Sequence, residues 1–323
     1  MKLKKVCAVV VTYNRIKYLL KLLKSLKEQS YALSAILIFD NCSTDGTDSI
    51  LKENGYCNSV EMQMLHSAKN NGIDILFYRN NENLGGSGGF HDAIKIASKL
   101  GYEFLWCMDD DVLPEKQCLE KLMLHMSNAV RICIPSRTDK NYRDYAIIDV
   151  NMSNPFKFSI VSRKKMIYNE NINGNAIEVV DMPFEGPLIE NKLIEEIGLP
   201  KKDFFIIFDD SEYAARACKV TKILYCKDAI LHKQIIPHSG KDEFMNWKNY
   251  YGYRNQIWFD RHYGLNRFVK ILRPRLLYID LIMRAILRGK FSNINLIKRA
   301  YKDGVNDTLG KLVAPGTSRR EFK

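Results

Sequence analysis

Residues 104–114 read FLWCMDDDVLP: the apolar run Phe104–Met108, then three consecutive aspartates, Asp109, Asp110 and Asp111. Five apolar residues suit a buried strand. Like charges at its end repel one another, so their placement needs a cause. The sequence before them repeats one pattern. Val6–Val11 is a β-branched run followed by Ile16–Leu26, where Leu19, Leu22, Leu23 and Leu26 recur at helical spacing opposite Lys17, Lys21 and Lys24. Ala35–Phe39 and Ile73–Tyr78 read as further strands, and Phe90–Leu100 as an amphipathic helix after a glycine cluster. Strands alternating with amphipathic helices predict an α/β fold: a mostly parallel central sheet, Rossmann-like, with helices on both faces. Such sheets bind ligands at the carboxyl ends of their strands.

Those ends are polar in every case: Thr12-Tyr13-Asn14-Arg15, Asp40-Asn41, Asn83–Gly89 and Asp109–Asp111. Asp40 has the chemistry to accept from a base or ribose. Gly85, Gly86, Gly88 and Gly89 let backbone amides approach a sugar or phosphate, and a flexible turn is the other reading. Oxygen-rich clusters such as the aspartate triplet bind Mg²⁺ or Mn²⁺, which in turn grip a diphosphate; a solvated acidic turn is the alternative. Residues 130–200 are less regular, with a helix expected over Leu188–Ile197 and stopped by Gly198. FFIIFDDSEY (204–213) then reads as a second apolar strand ending in acids, Asp209, Asp210 and Glu212. One of these could act as general base, or cap the helix that follows. Ile223–Cys226 and Ala229–Leu231 bring the chain to His232, which is either structural or a ligand completing an Asp/His metal site.

Composition narrows the partners. The 323 residues hold 49 Lys and Arg against 37 Asp and Glu, a formal charge of +12. Most of the excess lies late in the chain: residues 261–300 hold ten Lys and Arg against one acid, Asp280. A phosphate-bearing partner fits this balance. Nucleic acid does not, because the basic residues alternate with aliphatic ones and no stacking module is recognisable. The aliphatic residues Leu276–Leu287 among Arg273, Arg275, Arg284 and Arg288 fit a helix lying on an anionic membrane, or equally one packed on the core with a solvated basic face. No apolar stretch reaches the ~20 residues that span a bilayer. The MKLKKV start has too short an apolar run for a signal peptide. Eight cysteines without a C-x-x-C pair point to reduced thiols in a cytosolic compartment rather than to zinc, and the membrane reading of the tail would place the chain at the inner face of the membrane.

VVVTYNR, Asp40 with CSTDGT, NLGGSGGF, DDD, FDDSEY and ILHK, in this order, resemble the inverting family 2 glycosyltransferases of the GT-A fold over residues 5–260, and NLGGSGGF with F-D-D-x-E and a downstream His is similar to the galactofuranosyltransferase branch. The resemblance implies a UDP-galactofuranose donor, Mn²⁺ or Mg²⁺, and a surface glycan acceptor, often lipid-linked. It implies Asp109 and Asp111 at the donor ribose and metal, with His232 the remaining metal ligand. Asp210 would be the catalytic base, with Asp209 beside it and Glu212 toward the acceptor. Thr12, Arg15, Asp40 and Asn83 would contact the nucleotide, and Gly85 to Gly89 would line the donor sugar. A catalytic domain over 1–260 and a basic helical tail over 261–323 follow. The large flanking domains of the mycobacterial polymerases are lacking, which favours single addition over processive growth. Other donors, dTDP-rhamnose, UDP-glucose or UDP-galactopyranose, stay open, as does a non-catalytic, membrane-associated glycan- or nucleotide-binding protein. A sugar nucleotidyltransferase would want a Gly-rich basic loop where TYNR stands.

Overall fold

The computed structural model describes residues 3–235 and 246–317. The first half runs β1 (Val6–Thr12), α1 (Ile16–Lys27), β2 (Ala35–Asp40), α2 (Thr47–Glu53), β3 (Leu65–Asn70), β4 (Ile73–Arg79), α3 (Gly85–Ser98), β5 (Phe104–Asp109), β6 (Val112–Pro114), α4 (Cys118–His125) and β7 (Val130–Ser136). The second runs β8 (Tyr145–Val150), α5 (Ile160–Arg163), β9 (Lys164–Tyr168), β10 (Ala176–Val179), β11 (Leu188–Glu190), α6 (Asn191–Ile197), α7 (Asp209–Ala217), β12 (Lys222–Lys233), α8 (Trp247–Tyr263), α9 (Arg267–Leu287) and α10 (Ile294–Val305). Strands order as β10-β12-β7-β11-β5-β1-β2-β4-β3, with β6 pairing β12, and β8-β9 form a separate hairpin.

The centre, β5-β1-β2-β4, is parallel as expected. Every β1 residue is buried, which is why the strand is apolar throughout instead of alternating. Its side chains divide between two layers: Val6, Ala8 and Val10 pack with the leucines of α1 and with α4, while Cys7, Val9 and Val11 pack with α3, α6 and α7. Helices therefore cover both faces. Register then fixes the site, since Thr12 lies opposite Asp40 and Val11 opposite Asp109, so the polar strand ends share one edge.

Four expectations need correction. Phe204–Phe208 is not a strand: Lys202–Phe204 is a short 3₁₀ turn, and Phe205, Ile207 and Phe208 have φ of 67°, 66° and 76°. Leu188–Ile197 is not one helix, because Leu188–Glu190 completes the sheet between β5 and β7 before α6 begins. The helix expected from Phe90 starts at Gly85, so the glycines form its first turns. The two runs before His232 are one strand, β12, with an irregularity between Cys226 and Ile230.

The C-terminal helices form their own apolar cluster, in which Tyr250, Tyr251 and Ile257 of α8 meet Leu277 and Leu281 of α9 and Leu296 and Ile297 of α10. Position 260, where the sequence reading divides the chain, falls inside α8. Asp260 accepts from Arg163 Nη1 at 2.7 Å and Arg273 Nη1 at 3.1 Å, all three buried. Arg273, one of the ten tail cations, is therefore a core residue tying α9 to the body. The eight cysteines are free thiols, six of them buried.

Candidate active site

The aspartate triplet divides its work by position. Asp110, the middle residue, is buried and accepts from Thr12 Oγ1 at 2.7 Å and the Tyr13 N–H at 3.3 Å. Arg15 Nη1 reaches Asp110 Oδ1 at 3.2 Å and Asp111 Oδ2 at 2.8 Å, so it covers these two carboxylates, while Asp109 has no ion pair among the described residues. Burial first, then Asp111, Glu185 and Asp110, push the Asp109 carboxyl well above the usual carboxylate range. Burial pushes Asp110 up to about 6 against the pull of Thr12 and Arg15, and raises Asp111 as well. With Asp110 engaged by Thr12, Tyr13 and Arg15, the hard oxygen donors left for a divalent cation are those of Asp109 and Asp111, whose repulsion its charge would relieve.

Across the edge, Asn41 at the end of β2 organises the glycine turn. Its Nδ2 donates to Asn83 Oδ1 at 3.2 Å and Gly85 O at 3.0 Å, and its Oδ1 accepts from the Leu84 N–H at 3.0 Å. Gly85 has φ +72°, and a Cβ there would collide with the Phe205 carbonyl oxygen. Thr12, Arg15, Asn41, Asn83, Gly85, Gly86, Asp109, Asp110 and Phe205–Ile207 line a cleft of about 470 Å³, to which Trp247, Lys248 and Pro315 also contribute.

Asp209 and Asp210 open α7. Its N-cap is Phe208, in the left-handed region and without a side-chain cap; neither aspartate caps the helix. Instead Asp210 Oδ1 accepts from the Ser211 N–H at 2.7 Å, and both acids sit where the helix dipole favours negative charge. The preceding loop is held from α8. Asn255 Nδ2 donates to the carbonyls of Phe204, Ile206 and Ile207 at 3.1, 2.9 and 2.8 Å, and Arg254 Nη2 to that of Phe204 at 2.9 Å. A β-branched residue such as Ile207 at φ 66° is strained, and these buried bonds are what impose it. Burial pushes Asp209 up to about 6, and burial with the Asp209 and Asp181 charges raises Asp210 well above its ordinary value. Asp210 faces a second cavity of about 180 Å³ with Arg137, Tyr145, Lys164 and Asp181. Glu185 is held by Arg137 and Lys233, each at 2.7 Å, which outweigh its burial and lower its pKa, while its charge acts on Asp109 and Asp111.

Residues 7–177 match the family described as glycosyl transferase family 2, over half of the chain. The chain belongs to that family. A curated relative, galactofuranosyltransferase GlfT1 of Mycolicibacterium smegmatis, is 20% identical over 221 residues, 65% of this chain and 64% of that protein, so the chain spans just under two thirds of that relative's length. Among solved structures, a Pyrobaculum calidifontis mannosyltransferase crystallised with GDP-Man and Mn²⁺ aligns with a TM-score of 0.54 and 14% identity over 94% of this chain and 84% of that one. S. aureus TarS 1-349 with UDP-GlcNAc gives 0.52 and 15% over 93% and 81%. GalNAc-T7 with UDP, GalNAc and Mn²⁺ gives 0.56 and 14% over 80% of this chain and 47% of that chain. These likenesses carry the GT-A-like fold, as expected from sequence.

Within this family 2 fold several expected site residues stand elsewhere. His232 lies opposite Leu113 in the β12–β6 ladder, its Nδ1 3.0 Å from Asp139 Oδ2 and its Nε2 3.1 Å from Glu115 Oε1, outside the cleft that holds Asp109. Among the described residues no three His, Cys, Asp or Glu side chains converge as a metal set. Asp40 is fully buried beneath the edge, accepting from the Ser43 N–H at 2.9 Å and facing Arg79 Nε at 3.5 Å. Glu212 is buried in the helix layer, accepting from Tyr263 Oη at 2.6 Å and Arg216 Nε at 3.0 Å, so it braces α7 against α8. Gly88 and Gly89 are packing residues; a Cβ at Gly89 would meet Val11 Cγ1 at 2.8 Å, where α3 lies on β1. Sequence reading gave no role to Glu185, Asn255 or Trp247, and named Asn41 only as part of the polar strand end Asp40-Asn41.

Proposed function

We propose that this chain transfers a hexosyl group, with inversion, from a nucleoside diphosphate sugar to an acceptor hydroxyl. The observation that carries the reading is a pair of acidic sites with raised pKa, Asp109 in the cleft at the strand edge and Asp210 at the start of α7, where the Phe205–Ile207 loop that lines the cleft leads into the helix. Thr12, Arg15, Asn83 and Gly86 line the space for the nucleotide and its diphosphate. Asp109 and Asp111 would hold a divalent metal, Mn²⁺ or Mg²⁺, which when bound would supply charge stabilisation to the departing diphosphate. Asp210 takes the proton from the acceptor hydroxyl as its oxygen bonds to the anomeric carbon, and the bond from that carbon to the diphosphate breaks with its electron pair leaving on UDP. A desolvated carboxylate with a raised pKa is a stronger base than a solvated one, which suits this step. No covalent intermediate is required.

The favoured donor is UDP-galactofuranose, supported by NLGGSGGF with F-D-D-x-E and by the 20% identical galactofuranosyltransferase. The favoured acceptor is a surface glycan, free or lipid-linked. Nucleotide release from a panel of UDP-galactofuranose, UDP-galactopyranose, UDP-glucose and dTDP-rhamnose, with and without Mn²⁺, tests this. Metal-dependent UDP release from the furanose form supports the full reading. Release from dTDP-rhamnose alone removes the donor assignment and keeps the transferase, and release from none of the four under any metal overturns both.

A further inference from the structure

The sequence left two readings of the tail open, and α9 presents both, one on each side. Val269, Arg273, Leu277, Leu281 and Ala285 are buried against α8 and α10. The opposite side is also apolar. Phe268, Ile271, Ile279, Met283 and Ile286 recur every three or four residues, broken only by Arg275, and are 42–63% exposed, while Leu287 at the end is 79% exposed. A helix of 21 residues carries such a stripe over about 30 Å. Single exposed leucines are ordinary, but a continuous stripe on a water-facing helix marks a contact surface.

We propose that this outer face of α9 docks on the surface of an anionic lipid bilayer, with the helix lying in the interface. Charge complementarity selects this occupant. Arg267, Lys270, Arg275, Arg284, Arg288 and Lys290 lie along the segment against Asp280 alone, and Arg284 Nε answers that acid at 2.9 Å. Apolar side chains entering the acyl boundary between cations that meet lipid phosphates is the pattern of an interfacial helix. A second copy of this chain on the same face would bring two segments of net positive charge together, which opposes self-association. No helix among the described residues is long and apolar enough to cross a membrane, which agrees with a helix lying on one. The position suits a transferase as well: Leu265, 76% exposed just before α9, also lines an apolar cavity of about 280 Å³ with Val150, Met152 and Phe208 that extends to Ser211, the neighbour of Asp210.

Docking of α9 is independent of the proposed reaction. The test is co-sedimentation of the full chain with phosphatidylcholine vesicles and with vesicles containing about one third phosphatidylglycerol, at low and high salt. Binding is expected to the anionic vesicles and to weaken in salt. Ile279→Glu with Met283→Glu should lower partitioning at least tenfold, and Arg275→Glu about fivefold. Both variants alter exposed positions, so UDP binding measured alongside should stay unchanged. Equal binding to both vesicle types, no binding by the unaltered chain, or Glu variants that bind as it does would overturn the proposal. So would a dimer that the Glu variants convert to monomers, which would assign the stripe to a second copy.

Discussion

The two acidic clusters differ in how the chain holds them. Asp109–Asp111 ends a central parallel strand, where register with β1 fixes its position and Arg15 and Thr12 neutralise or satisfy the inner members. Asp209 and Asp210 instead follow a loop with three residues at positive φ, held there by Asn255 and Arg254 from a helix some 50 residues later in sequence. The first site is built by sheet geometry and the second by tertiary constraint. Clusters that look alike in sequence are thus suited to different tasks: a rigid edge for gripping a diphosphate, and a strained, desolvated helix start for raising the basicity of a carboxylate.

Exchanging the charges should separate these tasks. Asp210→Asn removes the proposed base while keeping shape, and transfer should fall by about 10² to 10⁴-fold with UDP affinity in the presence of Mn²⁺ unchanged. Asp111→Ala should instead remove the metal dependence of UDP binding, with a loss of about 10²-fold or more in kcat/KM. Turnover assays with isothermal calorimetry on both variants decide the matter. If both lose nucleotide affinity, or if Asp210→Asn turns over normally, the division of labour is wrong.

The same contrast explains what could be read in advance. The parallel sheet and the strand-end triplet were legible because β1, β2 and β4 are each followed by a helix in local β-α units, and burial on both faces makes the central strands largely apolar. FFIIF carried the same apolar signal for a different cause. Phe204, Phe205 and Phe208 are buried against Trp258, Tyr251 and Phe259 of α8, not in a sheet. Hydrophobic runs report burial and not which partner provides it. The surroundings of His232 were equally illegible: its place after an acidic cluster in sequence says nothing of the ladder that sets it between Asp139 and Glu115. Glu185 was hidden in an irregular segment, since nothing near it in sequence announces Arg137 or Lys233.

If the second site depends on tertiary support, Asn255→Leu should damage it from a distance. It removes three bonds to the loop carbonyls and leaves them buried without those donors. Transfer should fall by about 10²-fold through misplacement of Asp210, and UDP binding, read by calorimetry, should change far less. An equal loss of both would mean that the loop supports the whole cleft. Contact between Phe205 O and the Ser87 N–H at 3.0 Å is the path by which that would happen.

A gentler probe is pH. Asp210 must be ionised to accept a proton, and its pKa is raised, so transfer should decline as pH falls through that raised value. The Asp209 charge is part of the cause. Asp209→Asn removes it, lowers the pKa of Asp210, and should shift the acid limb of the kcat/KM profile to lower pH. An unmoved limb would show that the two carboxylates do not titrate together during turnover.

The smallest effect distinguishes binding from packing within the glycine turn. A Cβ at Gly86 would have no neighbour within 4 Å, whereas one at Gly85 would strike Phe205 and one at Gly89 would strike Val11. In the first turn of α3 a Gly→Ala exchange without a clash should stabilise by up to about 1 kcal/mol. Gly86 also lines the cleft, so a methyl group there meets whatever approaches the helix start. Gly86→Ala should therefore raise the melting temperature slightly while raising donor KM several-fold. The opposed signs matter more than the size: a variant that is both more stable and worse at holding its donor places the donor against Gly86, whereas unchanged KM would remove this edge of the cleft from the donor's path.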